Sequence, residues 1–122
     1  MKSVLVIEDN EDNMELITFI LESNGYQTLK AETGQQGFEL TLQERPDFII
    51  LDIQLPDILG TEVLRMIRDS EVGDSIPIIS MTSYAMAGDR EKLLAAGCDG
   101  YIEKPIDPLS VMDQIKKITG ET

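Results

Sequence analysis

Short apolar, β-branched runs alternate along this chain with stretches whose apolar residues recur every three or four positions. Val4-Leu5-Val6-Ile7 reads as a buried strand. Met14, Ile17, Ile20 and Leu21 then fall on one helical face, and Asn24-Gly25 supplies a stop. Tyr26 to Ala31 predicts a second, weaker strand. Thr33-Gly34-Gln35-Gln36 fits a capping box, in which the Thr33 hydroxyl and the Gln36 amide satisfy each other's backbone N–H groups. The helix it opens runs to about Glu44, and Gly37 inside it is expected to cost about 1 kcal/mol. Phe48-Ile49-Ile50-Leu51 is continuously apolar, as in a strand covered on both faces. Pro56 to Gly60 is a turn, and Thr61 to about Asp69 a short helix with Val63, Leu64 and Ile67 inward. Pro77 opens a fourth strand, Ile78 to Met81, and Met86 to Ala96 predicts a helix stopped by Gly97. Gly100-Tyr101-Ile102 is a short fifth strand. Asp107-Pro108 predicts an N-cap with proline at the first helical position, and Leu109, Met112, Ile115 and Ile118 give the last helix its apolar stripe.

A strand–helix unit repeated five times implies parallel pairing through right-handed crossovers. The expected fold is α/β: a doubly wound (βα)5, flavodoxin-like parallel sheet with strand order 2-1-3-4-5. Residues 1–122 form one domain, with no linker or repeat and with no output domain expected. In such folds sites form at the carboxyl ends of strands. Strand one ends in Glu8-Asp9, strand three in Asp52, strand four in Thr82-Ser83, and Lys104-Pro105 follows strand five. Three carboxylates and one ammonium in a single crevice carry a net −2, which is costly until a cation neutralises it. The hard oxygen ligands suit Mg²⁺ or Mn²⁺, with the backbone carbonyl of Gln54 as a further ligand. Metal, lysine, hydroxyl and carboxylate together suit phosphoryl transfer. Asp52 is the nucleophile candidate; Thr82 and Lys104 are placed to meet phosphoryl oxygens. Singly, these residues have plainer readings: Glu8 and Asp9 as helix caps, Asp52 in a turn, Lys104 on the surface. Their coincidence at four of five strand ends argues for a site.

Composition narrows the chemistry. Among 122 residues there is no histidine, which excludes a Ser-His-Asp triad, a histidine base and histidine metal ligands. The single cysteine, Cys98, forms no internal disulfide and is expected in the core. The formal charge of −13 argues against direct nucleic-acid binding and against acidic membrane surfaces. No signal-peptide core or membrane-length apolar run is present, so a cytoplasmic location is expected. A Mg²⁺-dependent phosphohydrolase using an aspartyl phosphate is a rival, but Ile53-Gln54 follows Asp52 where such enzymes carry an Asp-x-Asp pair. A flavin electron carrier is a second rival, but the acidic Glu8 to Asp12 loop repels a phosphate.

Four segments in order, VLVIEDN at 4–10, DFIILDIQLPDILG at 47–60, PIISMTSYAM at 77–86 and GCDGYIEKPI at 97–106, carry a further reading. Over its whole length the chain resembles the receiver domain of bacterial response regulators, of the stand-alone, CheY-like and DivK-like type. That resemblance implies a metal-binding pair at Glu8 and Asp9 and a phosphoacceptor at Asp52. It implies a switch hydroxyl at Thr82, a phosphate-binding lysine at Lys104, a switch aromatic at Tyr101, and a cis Lys104-Pro105 bond. It implies phosphoryl donation by a partner histidine kinase or histidine phosphotransfer protein, signalling rather than enzymatic turnover, and two conformations. Output is expected through protein contact at the face built from the fourth helix, fifth strand and fifth helix. Gln54 and Tyr84 flank the site, and Tyr84 is expected to slow hydrolysis. A receiver excised from a hybrid histidine kinase is the alternative reading.

Overall fold

In a computed structural model the protein is described over residues 2–83 and 87–120. Five strands and five helices alternate: β1 (Ser3–Ile7), α1 (Glu11–Ser23), β2 (Gln27–Ala31), α2 (Gly34–Glu44), β3 (Phe48–Asp52), α3 (Gly60–Arg68), β4 (Ile78–Thr82), α4 (Ala87–Ala95), β5 (Gly100–Glu103) and α5 (Val111–Thr119). All neighbouring strands pair in parallel, in the order β2-β1-β3-β4-β5. The sheet is therefore the one the sequence pattern predicts.

Side-chain alternation along the strands divides the core into two layers. Val4, Val6, Ile50, Ile79, Met81 and Ile102 pack beneath α1 and α5. Leu5, Ile7, Ile49, Leu51 and Ile78 pack beneath α2, α3 and α4. Two-sided burial explains why β1, β3 and β4 read as continuous apolar runs rather than alternating ones. Cys98 is buried in the second layer, as expected, and its thiol is pushed up by that burial.

Three local expectations are corrected. The capping box at α2 is half formed: the Gln36 N–H donates to Thr33 Oγ1 at 3.1 Å, but Gln36 Oε1 accepts from the Glu32 N–H rather than from Thr33. Gly37 is a requirement of packing rather than a simple cost to its helix. A Cβ there would lie 2.7 Å from Ile7 Cγ1, so its absence lets α2 settle directly on β1.

The last helix begins at Val111, not at Pro108. The Asp107 carbonyl accepts from the Ser110 and Val111 N–H groups at 3.1 and 3.0 Å. Its carboxylate accepts from the Leu109 N–H and the Ser110 hydroxyl. Asp107 thus closes a turn ahead of the helix, and Leu109 on that turn is 93% exposed. The apolar stripe is carried instead by buried Val111 and Ile115, with Met112 and Ile118 half-buried beside them.

Candidate functional site

Parallel strands all finish on one edge of the sheet, and the polar residues that end them converge there. Glu8 follows β1, Asp52 closes β3, Thr82 closes β4, and Lys104 follows β5. Glu8, Asp52 and Thr82 are 1%, 2% and 3% exposed, whereas neighbouring Asp9 is open to solvent. Glu8, Asp9 and Asp52 each offer a carboxylate oxygen within 4.8 Å of the others. The Lys104 ammonium reaches past β4 to the ends of β3 and β1, lying 2.9 Å from Glu8 Oε1 and 3.1 Å from Asp52 Oδ1. Asp52 Oδ1 also accepts from the Gln54 N–H at 3.1 Å. The Lys104 N–H donates to the Thr82 carbonyl at 2.9 Å, which holds the lysine-bearing segment beside β4. The Lys104-Pro105 bond is cis, as the resemblance implied.

Gly60 sets the other side of the loop that follows Asp52. Its N–H donates to the Ile53 carbonyl at 2.8 Å. A Cβ at this position would sit 2.6 Å from the Asp52 carbonyl oxygen, so a glycine here lets α3 close against the backbone of the central carboxylate.

Electrostatically the cluster is short of donors. Both Glu8 oxygens are buried without an aligned hydrogen bond, so its contact with Lys104 is a charge contact rather than a directed bond. Burial pushes the Glu8 carboxyl up to about 7, assisted by Asp52 and opposed by Lys104. Burial alone would lower the Lys104 ammonium, but Glu8 and Asp52 outweigh it and hold Lys104 above its ordinary value. The adjoining cleft, about 380 Å³, is lined by Glu8, Asp9, Glu11, Glu15 and Glu32 together with Lys30. The donor set is hard oxygen, crowded and under-satisfied, which fits a small divalent cation.

The residues singled out from the sequence are thus brought together, with two further placements. Gln54 is exposed just past β3, with its N–H turned to Asp52. Tyr101 is half-buried on β5 and packs against the α3–α4 layer; in register it lies opposite Ser80, two residues before Thr82. Tyr84 lies outside the described residues. Sequence reasoning missed Asp57, whose carboxylate binds the start of α2 from twenty-three positions away. No local pattern signals such a distant cap. Gly60 was visible only as a turn glycine; its close approach to the Asp52 backbone is made across the intervening loop and has no local signal.

The chain matches the response regulator receiver domain over residues 4–116. It is 40% identical over 120 residues to the polar-differentiation response regulator DivK of Brucella anthropi, covering 98% of each chain. The receiver domain of the sensor histidine kinase PA1611 from Pseudomonas aeruginosa PAO1 is 33% identical, with a TM-score of 0.88 and 98% of each chain covered. That structure holds a magnesium ion coordinated in its active site cleft. The chemotaxis response regulator CheY4 of Vibrio cholerae superposes with a TM-score of 0.92 at 23% identity, over 97% of this chain and 98% of that one, and shares the fold. The chain belongs to the response regulator receiver domain family, whose members are signalling proteins of two-component phosphorelays rather than conventional enzymes. No helix among the described residues is long and apolar enough to cross a membrane.

Proposed function

We propose that the protein is a stand-alone receiver that accepts a phosphoryl group on Asp52 from a partner phosphohistidine and signals by protein contact. The observation that carries this reading is the placement of Asp52: buried at the end of the central strand, held at Oδ1 by Lys104 and the Gln54 N–H, and within reach of Glu8 and Asp9. The chain's own lack of histidine agrees with a donor supplied by a histidine kinase or histidine phosphotransfer protein. The 40% identity to a DivK response regulator supports the receiver reading. The partners proposed act in the cytoplasm, and the chain is expected there.

Glu8, Asp9, Asp52 and the Gln54 backbone carbonyl would hold Mg²⁺ (or Mn²⁺). The bound cation would supply charge neutralisation at the oxygens of the arriving phosphoryl group. The buried Glu8 carboxylate, ion-paired to Lys104 but without an aligned hydrogen bond, and the magnesium in the similar PA1611 receiver support that assignment.

In the transfer itself, an Asp52 carboxylate oxygen attacks phosphorus. The new O–P bond forms as the donor's P–N bond breaks. The electron pair of that bond returns to the imidazole nitrogen, and the imidazole leaves neutral, its other nitrogen retaining a proton. Lys104, kept protonated by the carboxylates around it, then pairs with a phosphoryl oxygen. The Thr82 hydroxyl donates to another. Movement of Thr82 toward the phosphoryl group vacates space next to β5, and Tyr101 is the bulky side chain able to fill it. The surface so altered is the α4–β5–α5 face, which carries a concavity of about 590 Å³ lined in part by Tyr101, Glu103, Gln114 and Lys117.

Intact-mass measurement after incubation with acetyl phosphate tests the reading. The wild-type protein should gain one phosphoryl group with Mg²⁺ and none in excess chelator, and Asp52→Asn should gain none. Phosphorylation surviving in Asp52→Asn would assign the acceptor elsewhere.

A further inference from the structure

We propose that Asp57 is a positioning residue for the metal and phosphoryl site, tying the loop after β3 to the start of α2. The inference rests on the reading of Glu8, Asp9, Asp52 and the Gln54 backbone as the metal-holding set, and it names what keeps that set in register.

The loop between β3 and α3 carries Gln54. Backbone hydrogen bonds hold it at its ends: the Ile53 N–H donates to the Met81 carbonyl at 3.1 Å, and the Gly60 N–H to the Ile53 carbonyl at 2.8 Å. Between those points Leu55 and Ile58 are half-buried against the α2–α3 layer, a non-directional contact that permits sliding. The Asp57 carboxylate adds the directed tie. Its Oδ1 accepts from the Gly34 N–H at 2.8 Å, and its Oδ2 from the Gln35 N–H at 3.0 Å. Both donors are unpaired first-turn amides of α2, where the helix favours negative charge.

The tie does more than cap a helix. Helix α2 already has a cap of its own, because Thr33 Oγ1 accepts from the Gln36 N–H. It also rests directly on Ile7 through Gly37, and Ile7 immediately precedes Glu8. Asp57 therefore closes a circuit: from the loop bearing Gln54, through α2, onto β1 and its terminal carboxylate. With the circuit intact, the Gln54 backbone, Asp52 and Glu8 keep one mutual arrangement before any cation arrives. Such preorganisation lowers the ordering cost of binding.

The test measures Mg²⁺ affinity by calorimetry and stability by thermal melting for wild type, Asp57→Ala, Asp57→Asn and Thr33→Ala. Thr33→Ala weakens the same helix without touching the loop. Asp57→Ala is expected to bind Mg²⁺ about 10-fold more weakly, the lower end of what outer partners of metal ligands contribute. Its acetyl-phosphate labelling rate should fall at limiting Mg²⁺ and recover at saturating Mg²⁺. Asp57→Asn retains one acceptor oxygen and should fall between; it carries the test if the alanine variant does not fold. Thr33→Ala should melt earlier with Mg²⁺ affinity unchanged. Unchanged Mg²⁺ affinity in the Asp57 variants would overturn the inference, as would an equal loss in Thr33→Ala, which would make Asp57 a helix cap and nothing more. A wild-type protein that binds no Mg²⁺ would instead overturn the reading of the cluster itself, and the inference with it.

Discussion

Arg68, near the edge where the strands begin, and Lys104, at the edge where they end, are both mostly buried cations in contrasting surroundings. Arg68 donates from Nε to the Gly97 carbonyl, from Nη1 to the Gly73 and Ile76 carbonyls, and from Nη2 to Asp99 Oδ2. Asp99 Oδ2 in turn accepts from the Ile78 N–H at 2.8 Å. The fork shape of the guanidinium serves three chain segments at once, joining the end of α3 to the loops that enter β4 and β5. Lys104 is outnumbered instead. It faces Glu8 and Asp52 with Asp9 close by, and both Glu8 oxygens lack aligned donors. The first edge is complete within the chain. The second holds more carboxylate than its one ammonium balances, which is what the proposed cation and phosphoryl site calls for.

The contrast predicts opposite signs for charge removal at the two edges. Arg68→Ala leaves the Gly73, Ile76 and Gly97 carbonyls without their donor and Asp99 without its cation. Urea unfolding should show a loss of about 3 kcal/mol. The gain in melting temperature on adding Mg²⁺ should be unchanged, since the far edge is untouched. A variant as stable as wild type would break the comparison at its structural end.

Glu8→Gln, at the receptive edge, should act the other way. It removes one of two buried carboxylates that share a single ammonium, so the metal-free protein should become more stable by about 1–2 kcal/mol. It should also lose most of the Mg²⁺-induced rise in melting temperature. Thermal melts with and without Mg²⁺ measure both effects, and a destabilised metal-free variant would show that the edge is balanced after all.

Asp57 sharpens the comparison, because it lies in the loop beside the receptive edge yet is satisfied like Arg68. The Gly34 N–H foremost holds its carboxyl below the usual carboxylate range; burial opposes it, and the Gln35 N–H adds to the lowering. A depressed folded-state value means the contribution is complete above the unfolded-chain value, near ~3.9, and is lost as pH falls through the folded-state value. Wild type should therefore exceed Asp57→Asn in stability by about 0.5 kcal/mol near neutrality, the worth of a solvent-exposed negative charge at a helix N-terminus. The gap should close as urea unfolding is repeated toward pH 3. A gap independent of pH would show that the carboxylate charge contributes nothing at that helix end.

Much of this was legible along the chain. The apolar runs at Val4–Ile7 and Phe48–Leu51 are long enough and β-branched enough to be strands on local evidence, and the topology rules for crossovers then leave one economical sheet. Because parallel strands end on one edge, Glu8, Asp52, Thr82 and Lys104 had to meet there once that sheet was granted. The start of α5 was less legible. Asp107-Pro108 has the composition of a helix entry, but the Asp107 carboxylate closes a turn first, and Leu109 is left in solvent while the stripe starts at Val111.

What the sequence determined by itself is therefore whatever depends on period, run length and chain direction: the elements, their order in the sheet, and the edge on which the acids, the hydroxyl and the lysine gather. What only the tertiary structure decided depends on approach between segments distant in the chain. Gly37 reads as a weak point in a helix until Ile7 is found where its side chain would be. Asp57 reads as a turn residue until the first amides of α2 are found against it. Arg68 reads as the charged end of an amphipathic helix until three carbonyls from two other loops converge on it. Hydrogen bonds and steric exclusion act over about 3 Å, and which residues come that close is set by how helices settle on a finished sheet.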